Sequence, residues 1–187
     1  PVTVRHQSGE ADLESVRARY ASRSVGTMAR VEPFIDDMAA AYREADLVIC
    51  RSGAMTVTEL AALGLPSILV PFPHAVDDHQ RLNGRRLSTA GAAQLIPQHE
   101  LDAERLATEI RRLANDRDAL ASMASAARGC FRAGAAEAVA DALLGGGRGE
   151  TSSERPGESA AEATDKTPDG AQGSSVATRP PRRELVR

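Results

Sequence analysis

Tryptophan is absent, and only two tyrosines and three phenylalanines occur in 187 residues. So few aromatics, with a formal net charge of −3, argue against a nucleic-acid module, which needs a basic face and stacking surfaces. The two cysteines, Cys50 and Cys130, stand far apart and fit no zinc spacing, so they read as reduced thiols of a cytoplasmic protein. No apolar run approaches the ~18 residues that a transmembrane helix needs. The opening PVTVRHQSGE lacks the basic stretch and apolar block of a signal peptide. Lysine is nearly missing too. Lys166 stands against 22 arginines, a compositional bias rather than a functional one. The chain opens on Pro1, inside what reads as a strand, which is expected of a processed chain or a fragment.

What is present is the composition of an ordinary globular domain, 42% hydrophobic and 26% charged. It changes at Gly145. Residues 145–187 hold seven Gly, four Pro and five Ser, seven acids against seven bases, and only Val176, Leu185 and Val186 as large apolar residues. Such a segment cannot bury enough apolar surface to offset its chain entropy, and it is expected to be a disordered tail. The closing PPRREL reads as a solvated terminus. The fold is therefore expected in residues 1–144.

Those residues alternate between strand and helix patterns. VTVRH (2–6) reads as a strand, 11–21 as a helix, and MARVEPF (28–34) as a short strand. Asp36 is a plausible cap for a helix whose apolar face is Met38, Ala41 and Tyr42. ADLVIC (45–50) and SILVPF (67–72) are continuous apolar runs, the pattern of strands buried on both faces. Between them Thr56–Leu63 reads as a helix closed by Gly64, with Pro66 just beyond. A helix over 78–88, a strand AAQLI (92–96) and helices near 102–114, 117–128 and 134–144 follow. This order predicts an α/β fold, a Rossmann-like parallel sheet with right-handed crossovers and helices on both faces. Ligands bind such sheets at the carboxyl ends of the strands, after Val31, Cys50 and Val70 here.

The segment C-R-S-G-A-M-T-V-T-E-L-A-A-L-G-L-P (50–66) carries the strongest signal. Ser52, Gly53 and Ala54 let another group approach the backbone closely. A helix start near Thr56 offers unpaired N–H groups and the positive end of a dipole, suited to a diphosphate. Glu59, one turn on, can accept two hydrogen bonds from a ribose diol. The same spacing fits a capping box with Thr56 as cap and Glu59 reaching back, and spacing alone does not choose between the two. No Walker or GxGxxG sequence is present.

P-F-P-H-A-V-D-D-H-Q-R-L-N (71–83) follows another buried strand. Gln80 and Asn83 share a helical face and could bind sugar hydroxyls. His74, Asp77, Asp78 and His79 match no common metal spacing, and Asp77 reads better as a helix cap. Phe34 and Ile35 stand at a strand exit, where a flat base could rest or where the chain simply enters the core. His6 and Gln7 read as loop residues with local bonds. No Ser–His–Asp or Cys–His arrangement emerges.

HQSGEADLESVRARY (6–20), PFIDDMAAAY (33–42), ADLVICRSGAMTVTELAALGLPSILVPFPHA (45–75) and HQRLNGRRLSTAGAA (79–93) together resemble the carboxyl-terminal domain of the MurG family, in order and in register over about residues 2–144. These are bacterial UDP-N-acetylglucosamine–lipid I glycosyltransferases of peptidoglycan synthesis. The resemblance implies the carboxyl-terminal half of a glycosyltransferase-B fold, the half that binds the nucleotide-sugar donor. It implies inverting transfer of N-acetylglucosamine to lipid I, with no cofactor or obligatory metal, on the cytoplasmic face of the inner membrane. The undecaprenyl-linked acceptor and the peripheral membrane contact would belong to an amino-terminal domain missing here. By the same resemblance Ile35 would lie against the uracil through its backbone. Ala54, Met55 and Thr56 would meet the diphosphate and sugar through backbone N–H groups and the Thr56 hydroxyl, in the loop that Ser52 and Gly53 open. Glu59 would hold the ribose, Gln80 the N-acetylglucosamine, and Asn83 would support it.

Met55 departs from a frequent Leu, a volume-conserving change. A Gly-Gly-Ser loop and an arginine that meet the donor diphosphate, and the histidine usually proposed as base, have no counterpart here. No catalytic residue is identified in this chain. Another UDP-sugar glycosyltransferase, an inactive nucleotide-sugar-binding fragment, and a truncated product whose sheet lacks its first strand are the alternatives.

Overall fold

A computed structural model of the chain describes residues 2–23, 28–134 and 184–186. The chain divides into two units, residues 1–132 with 181–187, and residues 133–180. Of the second unit only 133 and 134 are among the described residues. The expected helix at 134–144 and nearly all of the expected disordered tail therefore fall outside them.

The strands are β1 (Thr3–Gln7), β2 (Met28–Glu32), β3 (Leu47–Cys50), β4 (Ser67–Leu69), β5 (Ala93–Leu95) and β6 (Glu184–Val186). The helices are α1 (Leu13–Ala21), α2 (Met38–Glu44), α3 (Ala54–Leu63), α4 (His79–Thr89), α5 (Ala103–Asn115) and α6 (Arg117–Cys130). The strands form one sheet in the order β2-β1-β6-β3-β4-β5, with every pairing parallel. This is the expected parallel α/β architecture, with one difference. The last residues of the expected tail, Glu184–Val186, form a strand in the middle of the sheet. No local propensity announces this, because the pairing comes from an opening between two strands far away in sequence.

The continuous apolar runs become central strands because both of their faces are covered. On β3, Leu47 and Ile49 join Val4, Ile68, Ile96, Leu113 and Met123 in one core. Val48 points the other way, into a core with Tyr42, Val57, Leu60, Leu69 and Leu87. Leu60, Ile68, Leu69, Leu87 and Leu113 have no exposed surface. Burial of each such side chain stabilises the fold by about 1.5–3 kcal/mol relative to exposure. The first core is covered by α1 and α5 and the second by α2, α3 and α4, and α6 contributes Met123 to one and Ala127 to the other. Between β1 and β2, Arg5 Nε donates to Glu32 Oε1 at 2.7 Å. That bond from Arg5 holds the Glu32 carboxyl below the usual carboxylate range.

Helix ends follow side-chain chemistry, with shifts from expectation. α2 is capped by Asp37, whose Oδ1 accepts from the Ala40 N–H at 2.8 Å, rather than by Asp36. Asp102 and Asp116 cap α5 and α6 in the same way. β4 ends at Leu69, short of the apolar run, because Pro71 has no N–H to continue a ladder. α3 ends where expected. Gly64 takes φ 66°, its N–H donates to Ala61 O, and the Leu65 N–H reaches back to Leu60 O at 2.9 Å. A Cβ on Gly64 would lie 2.5 Å from Arg128 Cγ and 3.1 Å from Ala124 O. Gly64→Ala is therefore expected to destabilise the chain by about 1–2 kcal/mol in urea denaturation, from left-handed strain alone. An unchanged midpoint would contradict this helix ending.

Candidate functional site

At the carboxyl edge of the sheet, β3 runs through Arg51, Ser52 and Gly53 into α3. Ser52 is fully buried, and its Oγ donates to the Gln80 carbonyl at 2.7 Å. Asn83 Nδ2 donates back to the Ser52 carbonyl at 3.3 Å. The contact is close because Gly84 has no side chain. A Cβ there would sit 2.6 Å from Leu95 Cδ1 and 3.2 Å from Ser52 Cβ. The loop after β3 and the start of α4 are thus bolted together, and Ser52 and Asn83 are engaged within the protein.

This anchoring leaves Gly53 as the residue before α3, with φ −62° and ψ 152° and no side-chain hydrogen bond capping the helix. Thr56 is therefore the third residue of the helix, and the capping box with Glu59 does not form. The first helical bond is from the Val57 N–H to the Gly53 carbonyl, 2.9 Å. The N–H groups of Ala54, Met55 and Thr56 precede it and have no acceptor within the helix. They converge at the positive end of the helix dipole, an arrangement that favours an anion. Met55 is 78% exposed at this end. Glu59 is exposed one turn further, and the Tyr42 hydroxyl approaches its Oε2 at 3.4 Å.

Other groups of the site are set by contacts across the sheet edge. Ile35 is 1% exposed, so its side chain belongs to the core. Its N–H donates to Gln7 Oε1 at 2.9 Å. Gln7 and His6 lie in β1 rather than in a loop, and His6 Nδ1 is 3.2 Å from the Tyr20 hydroxyl. Gln80 Oε1 accepts the Phe72 N–H at 3.0 Å, which leaves its side-chain NH2 to point elsewhere. Arg51 reaches the Val70 and Pro71 carbonyls at 3.2 and 3.1 Å, and its guanidinium lies 5.5 Å from the centre of the Phe72 ring. Asp77 and Asp78 take φ 50° and 54° in a 3-10 turn before α4, and neither caps that helix through its side chain. Asp78 pairs with Arg81. Among the described residues no three His, Cys, Asp or Glu come together as a metal group. No described helix is long and apolar enough to cross a membrane.

A cavity of about 620 Å³ opens here, lined by Gln7, Met38, Tyr42, Cys50, Arg51 and Thr56 among others. Sequence reasoning had not placed Gln7, Tyr42 or Arg51 in the site. Arg51 carried a usable signal, as a cation directly after a buried strand. Gln7 carried none, because its bond to Ile35 spans 28 residues.

The sequence model described as "Glycosyltransferase family 28 C-terminal domain" matches residues 1–142. The chain belongs to that family. A Methylococcus capsulatus protein is 54% identical over 144 residues, covering 77% of this chain and 40% of its own length. An Aromatoleum aromaticum protein is 58% identical over 137 residues, 73% of this chain and 37% of its own length. Both carry the name UDP-N-acetylglucosamine–N-acetylmuramyl-(pentapeptide) pyrophosphoryl-undecaprenol N-acetylglucosamine transferase. The crystal structure of Acinetobacter baumannii MurG superposes with a TM-score of 0.73 at 41% identity, covering 78% of this chain and 43% of that one. This family 28 chain spans about two fifths of the length of these relatives.

The Cys50 thiol lies in the cavity wall of the family 28 domain. Burial, and then the nearby Glu59 carboxylate, push its pKa up to about 12. In a Cys130→Ser background at pH 8, Cys50 is expected to react with iodoacetamide about a hundredfold or more slower than a free cysteine. Glu59→Gln is expected to speed it. Alkylation at the free-thiol rate would contradict the buried placement beside Glu59.

Proposed function

We propose that the protein is the donor-binding part of an inverting transferase that moves N-acetylglucosamine from UDP-N-acetylglucosamine to lipid I. The observation that carries this reading is the uncapped first turn of α3 followed one turn later by exposed Glu59. The names of the relatives, which are longer than this chain, support the same donor and acceptor.

In this proposal the Ala54, Met55 and Thr56 N–H groups, with the Thr56 hydroxyl, receive the donor diphosphate. Their positive field stabilises the charge that grows on UDP as it leaves, which lowers the barrier more than it tightens ground-state binding. Glu59 accepts both ribose hydroxyls. The Ile35 carbonyl meets the base edge, since its N–H is held by Gln7. The free side-chain NH2 of Gln80 reaches the sugar, and Asn83 supports it by fixing α4 to Ser52. Ser52 and Gly53 shape the loop so that the diphosphate can reach the backbone. Attack by the lipid I hydroxyl requires a base on the opposite side of the sugar. None of the residues assigned to this site serves as that base, and the proposal places it in the part of the enzyme that this chain does not span. The reaction would occur at the cytoplasmic face of the inner membrane through peripheral contact made by that other part.

Calorimetric titration of this chain tests the reading. UDP-N-acetylglucosamine is expected to bind more tightly than UDP-glucose. Glu59→Ala is expected to weaken binding by about tenfold to a hundredfold, the loss of charge-assisted hydrogen bonds to the diol. Equal binding of the two sugars would redirect the proposal to another UDP-sugar transferase. Absence of binding by the folded chain would refute a preformed donor site.

A further inference from the structure

Glu59 is exposed in the second turn of α3. A glutamate side chain in that position samples many rotamers, and fixing it against a ligand costs conformational entropy. Among the described residues no basic side chain forms an ion pair with it. What reaches it is the Tyr42 hydroxyl, which donates to Glu59 Oε2 at 3.4 Å.

Tyr42 itself is fixed. It is 8% exposed, and it belongs to the core that holds Val48, Val57 and Leu60. Its helix, α2, is started by the Asp37 cap. Burial first, and then the nearby Cys50 and Glu59, raise the phenol pKa far above its usual value. The hydroxyl therefore keeps its proton and acts as a donor at neutral pH. Burial also keeps the neighbouring Cys50 as a neutral thiol, so no competing charge stands beside the pair. α2 follows closely on Ile35, whose N–H is held by Gln7. The Tyr42 hydroxyl thus ties the helix that follows the Ile35 segment to Glu59 on α3. A carboxylate has about four lone-pair directions, and the phenol takes one of them. Oε1 and the second lone pair of Oε2 remain for two further donors. Hydrogen bonds that are long in a free site tighten when the ligand completes it.

We propose that Tyr42 is a positioning residue of the donor site: its buried ring holds a hydroxyl that selects the Glu59 rotamer able to receive both ribose hydroxyls of a uridine nucleotide. This role rests on the reading of Glu59 as the ribose acid. Tyr42 acts through Glu59 and does not itself touch the nucleotide.

Tyr42→Phe keeps the ring and removes only the hydroxyl. Titrations of the 15N-labelled chain with UDP and with 2′,3′-dideoxy-UDP, followed at the Ala54, Met55 and Thr56 amides, separate a positioning role from a structural one. The variant is expected to bind UDP about threefold to tenfold more weakly, because Glu59 regains rotamer freedom that binding must remove. It is expected to bind dideoxy-UDP as the parent does. In a Glu59→Ala background, Tyr42→Phe is expected to change UDP affinity by less than about twofold. A structural defect would weaken both nucleotides and would persist without Glu59. In the free chain, three-bond couplings of the 13C-labelled Glu59 side chain are expected to show one dominant rotamer, and averaging in Tyr42→Phe. Unchanged UDP affinity in Tyr42→Phe, equal weakening of both nucleotides, or averaged couplings in the parent would overturn the positioning role and leave Glu59 as the ribose acid. A parent chain that binds both nucleotides equally, or neither, would overturn the ribose role of Glu59 and the role of Tyr42 with it.

Discussion

The hydrogen bond from the buried Ser52 hydroxyl to the Gln80 carbonyl is the contact on which the site depends. A hydroxyl with no exposed surface must have a partner, or its desolvation costs about 1–3 kcal/mol. That requirement pins the loop after β3 to the first turn of α4. Gly84 permits the approach and Asn83 closes it from the other side. Because Ser52 is held in this way, it cannot turn outward to cap α3. The helix begins on Gly53, which has no side chain to offer, and three N–H groups remain without an acceptor in the helix.

The same anchoring organises the neighbouring loops. With its carbonyl engaged by Ser52, the Gln80 side chain turns to the Phe72 N–H, which ties the segment after β4 to α4. Arg51 holds that segment from the β3 side through two carbonyls and the face of Phe72. The segment after β2 is held separately, by Gln7 through the Ile35 N–H. Three loops that leave parallel strands are thus fixed around one opening, the arrangement that lets a doubly wound sheet bind a ligand at its carboxyl edge.

Much of this was legible in the sequence because it rests on local patterns. ADLVIC and SILVPF announce strands covered on both faces, and Gly64 followed by Pro66 announces a helix end. Alternation of the two element types then implies the parallel sheet. The start of α3 was two residues off because Thr56 and Glu59 mimic a capping box, whereas the start is decided by where Ser52 is buried. Asp36 and Asp37 offer nearly equal caps, and only the backbone around Ala40 chooses Asp37. Gln7 and β6 were illegible for a common reason. Each is placed by a partner distant in sequence, and neither leaves a periodic or compositional mark.

In the proposed function, the uncapped start of α3 receives the diphosphate of a uridine nucleotide. Titration of the 15N-labelled chain with UDP, followed through backbone amide shifts, tests it most directly. The largest saturable shifts are expected at Ala54, Met55 and Thr56, with smaller ones at Ile35 and Gln80. Saturable shifts confined to the opposite edge of the sheet, or none in a folded chain, would contradict it.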